Sequence, residues 1–365
     1  MGVFKNEAFA GHEQVVFCHD ATSGLKAIIA VHSTALGPAA GGCRMWSYAS
    51  DDEALRDALR LSKGMSYKNA MAGLDLGGGK AVIIGDAKKD KSEALFRAFG
   101  RFVEGLSGKY ITAEDVGISV SDMEIVARET AHVGGLNTGK AASGDPSPFT
   151  ARGTYNGIVA AVRHRLAREN LKGLRVAVQG LGHVGWHLCE ELHAAGAKLI
   201  VADINDAVVQ KAVATFGASA VSCDEILFYN VDVLAPCALG AVLNEQTIPR
   251  IKAPIVAGAA NNQLASATDG HLLRLQKILY APDYVINAGG IINVAGEIGG
   301  RYDRASVERK VANIHDVLLD IFKRADHEGR STSDVADSMA QEKILQAQQL
   351  HGNDMQIGKT AKNVA

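Results

Sequence analysis

The chain has 365 residues, which suits two domains at roughly 100–200 residues each. Its hydrophobic content of 47% belongs to a globular protein with a packed core rather than to a disordered chain. With 38 basic and 40 acidic residues intermixed and a net charge of −2, no segment has the basic bias that nucleic-acid binding requires, and the expected partner is a small molecule.

The N-terminal residues have no apolar stretch of the kind a signal peptide needs, and no run approaches the roughly 18 apolar residues of a membrane span. Residues 15–18 and 27–32 are short apolar runs rich in β-branched residues and are predicted to be strands. Ser50 followed by Asp51, Asp52 and Glu53 opens a predicted helix, with acids in its first turn where the helix dipole favours them. A strand at 81–84, a helix at 92–106, a strand at 109–112 and a helix at 121–130 capped by Ser121 complete a first domain over 1–140. Residues 134–148 are rich in Gly, Ser and Pro and mark a hinge.

A long helix is predicted from Thr150 to about 170. Regular strand–helix alternation follows: a strand at 175–179, a helix from Gly182, a strand at 199–202 and a helix from Asp206. Further strands are expected at 231–234, 255–257 and 284–287. This alternation implies a parallel sheet covered on both faces, hence a doubly wound Rossmann-type domain over 141–328. Helices at 305–326 and 335–350 end the chain, and the segment 329–365 is expected to pack back on the first domain. The fold class is therefore α/β with two domains. The five cysteines, Cys18, Cys43, Cys189, Cys223 and Cys237, form no Cys-x-x-Cys pair. That argues against disulfides or structural zinc, leaves no expected metal site, and points to a soluble cytoplasmic protein.

The strand at 175–179 leads into Gly180, Leu181, Gly182, His183, Val184 and Gly185, and a helix follows. In such a Gly-x-Gly-x-x-Gly turn one glycine makes the tight turn, one admits the pyrophosphate and one allows close helix–strand packing, while the helix N-terminus receives the phosphates. The next strand ends at Asp203, where a carboxylate can accept hydrogen bonds from ribose hydroxyls. Ile204, Asn205 and Asp206 offer no cation for a 2′-phosphate, so NAD is expected rather than NADP. In the first domain, Lys68 and Lys80 are glycine-flanked lysines. Converging on one cavity, they would hold an anionic group, and one of them could serve as a general base. Asp115 follows a predicted strand directly and is placed to relay protons.

The stretches Leu36 to Trp46, Ser62 to Asn69, Leu76 to Ala81, Thr112 to Gly117, Gly144 to Gly153, Gly258 to Gln263 and Asn287 to Val294, with the dinucleotide loop, together resemble the glutamate/leucine/phenylalanine/valine dehydrogenase family. The resemblance covers nearly the whole chain. It implies reversible oxidative deamination of an apolar L-amino acid with NAD, leucine or another branched-chain substrate first and an aromatic one such as phenylalanine second. Lys68 would bind the substrate carboxylate beside Gly41 and Gly42, Lys80 would be the base that activates water, and Asp115 would shuttle protons. Asn261 would hydrogen-bond the substrate carboxylate, and Thr150 and Asn287 would lie near the nicotinamide. Ala40, Ala113, Ile291 and Val294 would form an uncharged side-chain pocket that disfavours glutamate. Ala40, where leucine is more frequent in the family, leaves room for a larger substrate. Closure of the hinge would exclude water. The resemblance also implies a homo-oligomer, an octamer.

Two other readings have their own signatures. A non-catalytic NAD-binding regulatory protein would have lost Lys80 or Asp115, and an amine-specific scaffold would have lost Lys68 or Asn261. All four residues are present.

Overall fold

The computed structural model describes residues 2–136, 144–238, 240–298 and 302–362. Contacts divide the chain into two compact units, one of Met1–Gly144 with Glu297–Tyr302 and Ala340–Ala365, the other of Asp145–Gly296 with Asp303–Met339. Among the described residues no helix is long and apolar enough to cross a membrane.

The first unit runs β1 (Gln14–Asp20), β2 (Leu25–Ser33), β3 (Ala39–Ala40), β4 (Cys43–Trp46), α1 (Asp51–Met71), β5 (Gly77–Ile84), α2 (Glu93–Glu104), β6 (Tyr110–Ile111) and α3 (Val120–Val126). Its sheet has the order β1-β2-β5-β3-β6, with β4 also paired to β5. β1, β2 and β5 are successively antiparallel, and β3 and β4 run parallel to β5. The pleat sorts side chains to two faces. Ala81 and Ile83 join a core with Leu95, Phe96 and Phe99 of α2, while Val82 joins Ala54, Leu55, Ala58 and Leu59 of α1 on the other.

α1 begins as the sequence suggests, with the Ser50 hydroxyl accepting from the Glu53 amide. The helix expected at 121–130 is shorter and starts earlier. Ser119, not Ser121, is its cap, because Asp122 returns the bond from its side chain and closes a capping box.

The second unit runs α4 (Ser147–Leu166), β7 (Arg175–Gln179), α5 (His183–Ala194), β8 (Lys198–Ala202), α6 (Asp206–Phe216), β9 (Ser219–Ala220), β10 (Val233–Pro236), β11 (Ile255–Val256), α7 (Thr268–Leu275), β12 (Leu279–Tyr280), α8 (Asp283–Ile286), α9 (Gly289–Glu297), α10 (Arg304–Ala312), α11 (Ile314–Glu328) and α12 (Thr332–Lys362), the last helix crossing into the first unit. The sheet order is β12-β11-β10-β7-β8-β9, parallel throughout. Strand order reverses at β7, and a crevice beyond the carboxyl ends of the strands at such a reversal is where doubly wound sheets bind nucleotides.

Four expectations change here. α4 starts at Ser147 because the prolines of the presumed loop sit at the helix start, where a missing N–H costs nothing. The apolar run at 284–287 is helical rather than extended, since Pro282 and Asp283 supply a helix start, and the pairing strand lies just before it at β12. The single helix expected at 305–326 is two, turned at Asn313. The return to the first unit begins at Ala340 rather than 329. Residues 331–336 are held in the second unit, where Ser331, Val335 and Ala336 are buried and Thr332 Oγ1 donates to the Tyr280 carbonyl.

Candidate active site

β3 and β4 lie end to end along β5, and the ladder breaks between them at Gly41 and Gly42, directly across from Lys80. The break has no room for side chains. A Cβ at Gly41 would lie 1.9 Å from the Gly79 carbonyl oxygen, and one at Gly42 would lie 2.5 Å from that of Glu114 and 2.9 Å from Asp115 Cβ. The glycines ahead of Lys80 are strand residues, and a Cβ at Gly78 would meet the Ser66 amide of α1 at 2.0 Å. What the run of three glycines admits is therefore a second backbone, and α1 settles onto β5 by its last two turns.

Lys80 alternates with Ala81 and so projects to the α1 face of the sheet, where it is 5% exposed. Its Nζ is 2.7 Å from Asp115 Oδ2. Asp115 sits on the segment after β6 that runs beside the break, held by the bonds from Gly41 N to Ile111 O, Cys43 N to Ala113 O and Met45 N to Val116 O. A second cation, Arg44, reaches the same oxygen through Nε at 3.1 Å. Burial pushes the Asp115 carboxyl up, but the charges of Lys80 and Arg44 outweigh it and hold the group below the usual carboxylate range.

Lys68 stands in the closing turns of α1, half-buried, on the helix packed against this same face. Met65, one helical turn before it, has its Cγ 3.0 Å from where a Cβ of Gly41 would be. Asn69 ties the helix end to the sheet, its Nδ2 donating to the Gly77 carbonyl at 2.5 Å. Ala40 and Ala113 flank the break on neighbouring segments, Ala40 only 2% exposed and Ala113 half-buried. Lys80, Asp115, Gly41, Gly42, Ala40 and Ala113 thus gather around one gap in one sheet, and Lys68 stands on the helix that packs against that face.

In the second unit the three loop glycines take separate roles. Gly180 has φ +97°, Gly185 packs with its Cβ position 2.0 Å from the Gly180 carbonyl, and the Cβ position of Gly182 meets nothing within 4 Å. Gly182 caps α5, so the first-turn amides of that helix, including His183, Val184 and Gly185, face outward without intrahelical acceptors. Asp203, at the end of β8, accepts from the Leu181 amide through Oδ2 at 2.6 Å and from the Asn205 amide through Oδ1 at 2.8 Å. An open glycine, a helix N-terminus and a carboxylate that braces the turn fit a dinucleotide.

Thr150 is in the first turn of α4, and its Oγ1 is 2.7 Å from where a Cβ of Gly290 would sit. Asn287 is 4% exposed and donates from Nδ2 to Asn261 Oδ1 at 2.7 Å and to the Ala259 carbonyl at 3.1 Å. Ile291 and Val294 are half-buried neighbours one turn apart on α9.

Sequence reasoning did not single out Arg44 or its partner Asp57, 3.0 Å from Arg44 Nη1. The signal was the arginine that follows Gly41-Gly42-Cys43, whose alternation with the buried Cys43 and Met45 assigns it to the Lys80 face.

Residues 12–132 match the dimerisation domain of the Glu/Leu/Phe/Val dehydrogenases, and residues 205–352 match the Glutamate/Leucine/Phenylalanine/Valine dehydrogenase domain. The leucine dehydrogenase of Bacillus cereus is 55% identical over 333 residues, 91% of each chain. The valine dehydrogenase of Streptomyces albus is 48% identical, covering 92% of this chain and 93% of its own. The crystal structure of L-tryptophan dehydrogenase from Nostoc punctiforme superposes with a TM-score of 0.83 at 46% identity, covering 93% of this chain and 97% of that one. The class is that of the amino-acid dehydrogenases, enzymes that need a nicotinamide cofactor. Within it, the chain belongs to the Glu/Leu/Phe/Val dehydrogenase family.

Proposed function

We propose that this enzyme carries out the NAD-dependent, reversible oxidative deamination of leucine and other branched-chain L-amino acids to the 2-oxo acid and ammonia. The observation that carries the reading is the Lys80–Asp115 pair at 2.7 Å, with Lys80 buried and Asp115 partly so, set at a glycine break on the face covered by the helix that carries Lys68.

The second unit holds the cofactor through Gly180, Leu181, Gly182, His183, Val184 and Gly185, with Asp203 toward the ribose and Thr150 and Asn287 toward the nicotinamide. A 2′-phosphate would meet the Asp203 carboxylate with no lysine or arginine among residues 204–206, which favours NAD. Bound NAD⁺ supplies the hydride acceptor for the substrate Cα. Lys68 and Asn261 bind the α-carboxylate. Asp115, held ionised, takes a proton from the substrate ammonium. Neutral Lys80 removes a proton from the water that adds to the imine carbon; Asp115 returns its proton to nitrogen and, ionised again, takes the carbinolamine hydroxyl proton as the carbonyl forms and ammonia departs. The 2.7 Å bond between the two residues is the route by which the proton is exchanged.

Ala40, Ala113, Ile291 and Val294 carry no charge, so the second carboxylate of glutamate would be unpaired in that pocket. An aromatic substrate is the second reading, favoured by the small Ala40 and by the similarity to an L-tryptophan dehydrogenase. We further infer a homo-oligomer, an octamer, in keeping with the match to a dimerisation domain, and a cytoplasmic location, in keeping with five free cysteines.

The test is NADH formation from NAD⁺ with Leu, Ile, Val, Phe, Trp and Glu, repeated with NADP⁺. Turnover of the branched-chain substrates with NAD⁺ and none of Glu is expected. No reduction with any of the six overturns the proposal.

A further inference from the structure

The Lys80–Asp115 pair has a scaffold behind it. Arg44 lies on β4, just past the glycine break, and its guanidinium spans two carboxylates, with Nε 3.1 Å from Asp115 Oδ2 and Nη1 3.0 Å from Asp57 Oδ2. Asp57 belongs to the buried side of α1 and is itself fixed from two further directions. Tyr48 Oη donates to its Oδ2 at 2.8 Å, and Arg60 Nη2 donates to its Oδ1 at 3.0 Å. The side chains of Arg44, Asp57 and Asp115 are 20%, 15% and 27% exposed, so the chain of ion pairs is largely shielded from water and is weakened little by salt.

We propose that Arg44 is a positioning residue for the proton-transfer chemistry, holding the Asp115 carboxylate ionised and oriented, and that Asp57 in turn positions Arg44. The inference rests on the proposed reading of Asp115 as the proton shuttle. Lys80 and Arg44 both bond Oδ2, so two cations pin the carboxylate through the same oxygen. A lysine whose proton comes and goes cannot by itself keep its partner charged throughout a cycle. A guanidinium can, because it stays protonated at every working pH. Arg44 therefore supplies the constant charge and Lys80 the variable one.

The other titratable groups around Asp115 leave this division intact. On β4 the Cys43 thiol is buried and driven up by burial, remaining neutral. Tyr110 on β6 is likewise pushed well up by burial, its hydroxyl donating to the Gly41 carbonyl at 2.7 Å. Tyr48 is held up by burial and by its bond to Asp57. Glu114, next in sequence, is exposed. On the side of α1, Asp57 faces Arg44 rather than Asp115, and Lys68, half-buried near the end of the helix, is a further cation of the same sign as Arg44.

The experiment compares wild type, Arg44→Lys, Arg44→Met and Asp57→Asn by pH–rate profile, by KM and kcat for amino acid and NAD⁺, and by thermal denaturation. With Arg44→Met, kcat falls about 100-fold while KM for NAD⁺ is unchanged, and the acid limb of the profile moves upward by about one pH unit as Asp115 loses a cation. Arg44→Lys restores part of the rate and keeps the limb near its wild-type place, and Asp57→Asn, which releases one anchor of Arg44, lowers kcat by less than Arg44→Met does. A merely structural arginine would lower the melting temperature and leave the limb of the surviving folded enzyme where it was. That result in Arg44→Met, or in Arg44→Gln should Arg44→Met not fold, overturns the proposal while wild-type activity stands, whereas an inactive wild type overturns the reading of Asp115 on which it rests.

Discussion

Asn287 donates from Nδ2 to Oδ1 of Asn261 at 2.7 Å, which leaves the Asn261 amide nitrogen as the group turned outward. Asn287 is buried and Asn261 exposed, so the inner residue sets the outer one as a donor suited to a carboxylate. Asn287→Ala is expected to raise the amino-acid KM about tenfold, the scale of one lost hydrogen bond of this kind. Steady-state kinetics at saturating NAD⁺ checks it, and an unchanged KM would show that Asn261 keeps its orientation unaided.

Lys80→Ala removes the base and leaves Asp115 with Arg44 as its remaining cation. A loss of about 10²–10⁴ in kcat is expected, with NAD⁺ binding retained because the glycine loop belongs to the other unit. Turnover and a separate fluorescence titration of NADH distinguish the two effects. Full activity in the variant would remove the mechanism.

The loop glycines predict opposite phenotypes. Gly182→Ala adds a methyl group where nothing lies within 4 Å and at an ordinary φ of −63°, so the melting temperature stays put while NAD⁺ affinity drops. Gly185→Ala forces a Cβ to 2.0 Å from the Gly180 carbonyl and is expected to cost a few kcal/mol of stability, about 1–3, as overpacking does. Melting curves with and without NAD⁺ separate them.

His32 makes stability depend on pH. Burial, reinforced by His12 and Lys63, pushes its imidazole down to about 4 from the ordinary 6.5. Between those values the unfolded chain holds more protons than the folded one, so stability is whole above pH 6.5 and declines as pH falls through the window. Because His32 Nδ1 bonds Ser66 Oγ on α1 at 2.8 Å, the helix that bears Lys68 loosens with it. Urea midpoints at pH 7 and pH 5 are expected to differ in wild type and to differ less in His32→Gln, the remainder belonging to His12, whose imidazole is also pushed down by burial.

The α/β class and the dinucleotide loop were legible because both depend on local signals: strand–helix alternation, and glycines with separate jobs within six residues. β3 and β4 were not. They are two and four residues long on either side of Gly41-Gly42, and they become strands through pairing with β5, which no local propensity reports. Residues 284–287 misled for the converse reason, since β-branched and aromatic content suits a strand until Pro282 and Asp283 start a helix. The grouping of Lys80 with Asp115 could be expected from family resemblance and strand-end position. The Arg44–Asp57 support could not, because it joins β4 to α1 through side chains whose partners are set by the three-dimensional register.

The gap in the first sheet also limits how such an enzyme can be altered. Main-chain atoms form its walls within van der Waals distance of each other, so no substitution at positions 41, 42 or 78 can reshape the cavity without moving a strand or a helix. Evolution and engineering alike are left with the side chains at the rim, and a change of substrate can arise there while the proton-handling machinery beneath is inherited unaltered.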